Sequence, residues 1–70
     1  MSHNNPITIR HRDEFRAHMQ QHDRPGVSPA TRIFDLEDAA LSFIHYHGMH
    51  FVKTKKAVGQ YLRMIEQLTK

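Results

Sequence analysis

The sequence predicts a small, mostly α domain of three helices with a short extended segment at its N-terminus, and three observations carry that expectation. Apolar residues recur at helical spacing in three stretches, Pro and Gly punctuate the chain between them, and 70 residues supply one core and no more. Residues 2–5 are polar and the first five residues are expected to be disordered, which leaves a single helical domain over residues 6–70.

Ile7-Thr8-Ile9-Arg10 follows Pro6 and alternates β-branched apolar with polar residues, the pattern of a short strand or extended arm. The first helix is expected over about 13–23. Phe15, His18, Met19 and His22 fall at i, i+3, i+4 and i+7 and so share a face, while Asp13 and Glu14 suit the positive end of the helix dipole. Asp23-Arg24-Pro25-Gly26 then breaks the pattern. The second helix is expected over about 30–47. Ser28 and Pro29 are the residue types of an N-cap and first helical position, with Asp35 as a rival start. Ile33, Leu36, Ala40, Ile44 and His47 keep helical spacing, Leu41 and Phe43 widen the stripe, and Gly48 suits a C-cap.

The third helix is expected over about 53–68, with Val58, Tyr61, Leu62, Ile65 and Leu68 on one side. Gly59 inside it costs about 1 kcal/mol relative to Ala and suggests close approach by another backbone. The expected core comprises Phe15, Met19, Ile33, Leu36, Ala40, Ile44, Val58, Tyr61, Leu62, Ile65 and Leu68. Phe43, Met49 and Phe51 are left over for a subunit contact.

So short a chain has little core to offset the entropy of ordering it, and disulfides, a metal or a second subunit are the usual supplements. There is no cysteine, which removes the first and fits a reducing compartment. A homodimer is the expectation. The N-terminus lacks the basic stretch and apolar run of a secretory signal, and no segment approaches the roughly 20 apolar residues of a membrane span. A cytoplasmic protein with no membrane partner is therefore expected.

The net charge of +3 is unevenly distributed. Residues 1–34 carry five Arg against Asp13, Glu14 and Asp23, net +2, and residues 35–52 hold Asp35, Glu37 and Asp38 with no Lys or Arg, net −3. Residues 53–70 carry Lys53, Lys55, Lys56, Arg63 and Lys70 against Glu66 alone, net +4. On the predicted third helix Lys53, Lys56, Gln60, Arg63, Gln67 and Lys70 recur at spacings of three and four, a polar and largely basic stripe opposite the apolar one. Such a stripe fits the phosphates of a nucleic acid, and it is equally the ordinary solvated face of an amphipathic helix.

Two partial resemblances to DNA-binding motifs follow. A helix ending at His47, a turn of Gly48-Met49-His50-Phe51 and a helix from Val52 or Thr54 resemble a helix-turn-helix. Residues 7–44, with Ile7-Thr8-Ile9-Arg10, an Asp13-Glu14 helix, Gly26-Val27-Ser28 and a periodic second helix, resemble a ribbon-helix-helix DNA binder. That resemblance implies a dimer in which Thr8 and Arg10 read DNA. Pro25, Glu37 and the C-terminal quarter depart from its pattern.

Seven histidines are the remaining anomaly. Histidine titrates near pH 6.5 when unperturbed, so charge-driven binding is expected to strengthen below about pH 6. His45, His47 and His50 lie within six residues, and His18 and His22 form an i, i+4 pair able to chelate a metal such as Zn²⁺. Packed or solvated histidines are the plainer reading, because His45 and His47 point in different directions on a helix. Ser28 and Ser42 lack flanking glycines of a nucleophile elbow, Gly26, Gly48 and Gly59 form no phosphate loop, and no enzyme is expected. No cofactor is expected either.

The reading reached is a small regulatory nucleic-acid-binding protein that contacts phosphates through Lys53, Lys55, Lys56 and Arg63, with Arg10 adjoining. A protein-interaction module, adaptor or inhibitor, is the competing class, and a metal-stabilised histidine-rich binder is the third.

Overall fold

Each periodic stretch forms a helix. The computed structural model describes residues 7–68, the side chain of Ile9 excepted, and the expected disorder of residues 1–5 lies outside them. In chain order the elements are α1 (Ile9–His22), α2 (Pro29–Tyr46) and α3 (Thr54–Leu68). Among the described residues there is no strand.

Helix α1 begins four residues before the expected start, which reduces the extended segment to Ile7 and Thr8. Thr8 keeps extended dihedrals (φ −72°, ψ 163°) and precedes the first turn, but Ile9 and Arg10 are helical. The β-branched residues that suggested a strand cost a helix only a few tenths of a kcal/mol each, and tertiary packing overrides so small a preference. The ribbon of the ribbon-helix-helix resemblance is therefore not formed by this chain. Asp13 and Glu14 fall in the second turn, and the first turn of α1 carries no acid.

The break at Asp23–Gly26 is a turn closed by Val27 N–H donating to the Arg24 carbonyl at 3.1 Å. Ser28 caps α2, its Oγ accepting from Thr31 N–H at 3.3 Å, and Pro29 takes the first helical position, where its missing N–H is not needed. The rival start at Asp35 is thus interior to the helix. At the far end Gly48 adopts φ +67°, the left-handed conformation that favours glycine. Its N–H donates to His45 O at 3.1 Å and Met49 N–H to Ile44 O at 2.8 Å, the paired bonds of a Schellman motif. Met49 is buried beside Ile44 as that motif requires.

The core joins Ile7, Phe15, Met19, Leu36, Ala40, Phe43, Ile44, Met49, Val52, Val58, Tyr61 and Met64, with Leu62 and Ile65 half-buried against it. Helix α2 packs on both neighbours, and α1 meets α3 over a shorter span. Four expectations change. Phe43 and Met49 belong to the protein's own core and not to a subunit contact, whereas Ile33 and Leu68, expected inside, are exposed. The apolar stripe is wider than the surface two neighbouring helices can cover, so its flanks stay outside.

Among the described residues no foreign backbone approaches Gly59. Arg63 Nη1 is the nearest atom to where a Cβ would stand, at 3.7 Å. The helix-turn-helix comparison fails on length, since residues 47–53 separate α2 from α3 where that motif uses three or four.

Candidate functional site

Polar side chains do two different jobs here, and the difference isolates the candidate site. At the α1–α2 corner Asp23, Arg24, Arg32 and Asp35 are answered from within the chain. Asp23, which ends α1, accepts from Arg32 Nε at 2.7 Å and Nη2 at 2.8 Å, and Tyr61 Oη donates to the same carboxylate at 2.7 Å. One residue on, Arg24 donates to Asp35 Oδ2 from Nη2 at 2.6 Å and Nε at 3.1 Å. The Arg32–Asp23 pair, with one bond to each carboxylate oxygen, is bidentate and fixes orientation as well as distance. The corner thus ties all three helices together through one carboxylate.

The ionisation of these groups follows from the contacts. The Arg32 guanidinium holds the Asp23 carboxyl below its ordinary value of 3.8, burial opposing and the Tyr61 hydroxyl assisting. Burial, then the bond to Asp23, pushes the Tyr61 phenol up. Arg32 is raised in turn by its bond to Asp23.

A second clamp lies between α3 and the chain entering α1. Gln60 is buried, and its amide faces the backbone of Ile7: Oε1 accepts from Ile7 N–H at 3.0 Å and Nε2 donates to Ile7 O at 3.0 Å. The amide pairs with the N–H and C=O of Ile7, one from each of the two peptide groups that flank it, as a neighbouring strand would. Gln60 is therefore not part of a continuous polar stripe, which the sequence had suggested.

Beyond Gln60 the outer side of α3 is cationic. Lys53, Lys55, Lys56 and Arg63 are all exposed, and among the described residues none of them joins an ion pair. Lys70, the last position of the expected stripe, lies outside the described residues. Lys53 O receives Ala57 N–H at 3.1 Å, so three lysines cluster at the N-terminal end of α3, whose first turn holds no acid. A helix dipole disfavours cations there, by roughly 0.3–1 kcal/mol each. Arg63 stands about 10 Å further along the axis, its guanidinium over Gly59. Arg10 is exposed in the first turn of α1. Because Ile7 is clamped to Gln60, Arg10 begins within about 11 Å of that point on α3.

The histidines build the α1–α2 seam. His18 Nε2 donates to Ala39 O at 2.9 Å, and Phe43 lies among His11, Phe15, His18 and His47 with ring centroids 4.2–6.4 Å apart. His47 turns inward to Phe43 and to His11, whereas His45 pairs with His50 on the outside, rings 4.8 Å apart. Among the described residues no three metal-binding side chains come together. An open groove of about 570 Å³ runs along this seam, floored by Phe43 and edged by Glu14, His18, Tyr46 and His47.

Sequence reasoning missed Gln60, Asp23 and Arg32. One signal was available: a tyrosine within an apolar stripe needs a partner for its hydroxyl, and Tyr61 finds Asp23. Among the described residues no helix is long and apolar enough to cross a membrane. No protein-family model, curated protein or solved structure matches the chain.

Proposed function

We propose that this protein is a small nucleic-acid binder of the cytoplasm, acting by association and not by catalysis, which engages phosphates through Lys53, Lys55, Lys56 and Arg63 with Arg10 beside them. One observation carries the reading. The chain answers its arginines at Arg16, Arg24 and Arg32 with its own carboxylates, yet leaves the α3 cations unpaired among the described residues. Three of those cations stand where the helix dipole opposes them, a local cost that an external anion would reverse.

Lysine contacts position a protein on a phosphate backbone without reading bases, so the affinity is weakly selective for sequence and strongly dependent on salt. Fluorescence anisotropy with random-sequence duplex and single-stranded DNA at two salt concentrations tests it. Retention at low salt is expected, and replacing Lys56 and Arg63 together by Glu lowers the salt slope by about 2, near 0.9 per lost phosphate contact. Absence of retention even at low salt and pH 6 refutes the reading.

A second reading is favoured by Phe51, whose exposed ring lies two residues before Lys53. An aromatic beside a cationic helix end also suits an acidic protein surface. That case predicts a stable complex with one protein and indifference to DNA.

A further inference from the structure

The flank of α2 that faces away from α1 is apolar, partly open and unusually charged. Residues 32, 35, 39 and 43 of α2 meet α1 and the turn that follows it, through Arg32–Asp23, Asp35–Arg24, Ala39–His18 and Phe43–Phe15. On a helix of 3.6 residues per turn the row Ile33-Glu37-Leu41 lies on the opposite flank, with Phe34 at its edge. Ile33 is 37%, Leu41 45% and Phe34 70% exposed. Helix α3 shows the same asymmetry: Gln60 faces α1, while Leu62 and Ile65 lie on the far flank and are only half-buried. Helices α2 and α3 pack on each other, so these two flanks make up the side of the pair turned away from α1.

We propose that a second copy of this chain covers that face, forming a twofold dimer. The charges select the occupant. Glu37 stands half-buried within the apolar row and is not ion-paired among the described residues. Burying Glu37 under a purely apolar partner would strand a carboxylate, at a large desolvation cost. The occupant must therefore bring apolar side chains and a cation together. This chain's own face offers both, since Lys55 lies on the same line of α3 as Leu62, seven residues before it, and is likewise unpaired. A patch that carries its own complement meets the requirement of an isologous interface, in which the same surface serves both partners. It also supplies the kind of support that so small a cysteine-free core commonly uses.

This dimer stands apart from the proposed phosphate contacts. Lys56 and Arg63 are each about 100° further around α3 than Lys55 and Leu62 and stay outside it.

Sedimentation equilibrium of the whole chain, from micromolar to millimolar, reads the outcome directly. The wild type is expected at twice its 8.3 kDa. Leu41→Glu, and separately Phe34→Ser, raise the dimer dissociation constant about 30-fold with helical circular dichroism unchanged. Glu37→Lys and Lys55→Glu each weaken the dimer, and the two together restore it. A wild type that stays monomeric at millimolar concentration overturns the proposal, as does a dimer that ignores Leu41→Glu and Phe34→Ser but responds to Tyr46→Ser on the α1–α2 groove. Retention on DNA, measured with Lys56→Glu, is a separate result and decides neither outcome.

Discussion

The α1–α2 corner and the outer side of α3 are both rich in charge, and they treat it oppositely. At the corner Arg24 and Arg32 are each bound by a carboxylate across the turn, 11 and 9 residues away in sequence, and Tyr61 closes the network from α3. On α3, Lys53, Lys55, Lys56 and Arg63 have no such answer among the described residues. The difference teaches that net charge alone says little here. What matters is which cations the fold has already neutralised.

Four variants sharpen or break that comparison, in descending order of effect on stability. Asp23→Ala strands Arg32 and the Tyr61 hydroxyl together and is expected to cost about 3 kcal/mol, read by urea unfolding. A loss under about 1 kcal/mol would mean the corner is ornamental. Gln60→Leu leaves both polar groups of Ile7 without partners and is expected to cost about 2 kcal/mol, again by urea unfolding. Gly59→Ala is expected to gain about 1 kcal/mol, because its methyl meets only Arg63 at ordinary contact distance. Destabilisation there would reveal a close neighbour the monomer does not contain. Lys56→Gln with Arg63→Gln is expected to move the thermal midpoint hardly at all, within about 0.5 kcal/mol, while DNA retention falls. Marked destabilisation would place these cations with those of the corner.

Acidity separates the two regions further. A carboxylate depressed on folding contributes stability above its unfolded value and loses it as pH falls through the folded one. Asp23 is such a group, its ordinary value being 3.8, so the wild type should weaken below about pH 4 more steeply than Asp23→Asn. In alkali the sign reverses. Tyr61, pushed up by burial, resists ionisation in the folded chain, so stability is lost as pH rises above about 10, and Tyr61→Phe should lack that component. Equilibrium unfolding across pH reads both slopes.

The three helices and both ends of α2 were legible because their signals are local. Ser28-Pro29 at the start of α2 and Gly48 at its end act within one turn, and both behave as their residue types dictate. The start of α1 was not legible. Ile7-Thr8-Ile9-Arg10 reads equally as an arm or a first turn until the Gln60 amide fixes where the chain enters. The candidate face was legible in part: Lys53, Lys55, Lys56 and Arg63 were visible as a basic run, but that they stay unpaired depends on where α2 places its acids.

The sequence by itself determined three helices, two breaks and a basic C-terminal segment, since each follows from backbone preference and apolar spacing within a few residues. Only the packed structure decided that Gln60 turns inward, that Asp23 joins three helices and that Ile33 and Leu68 remain outside. Periodicity assigns a residue to one side of its own helix. Which part of that side meets a neighbour is set by how the helices pack, and that depends on contacts between residues as far apart as Ile7 and Gln60.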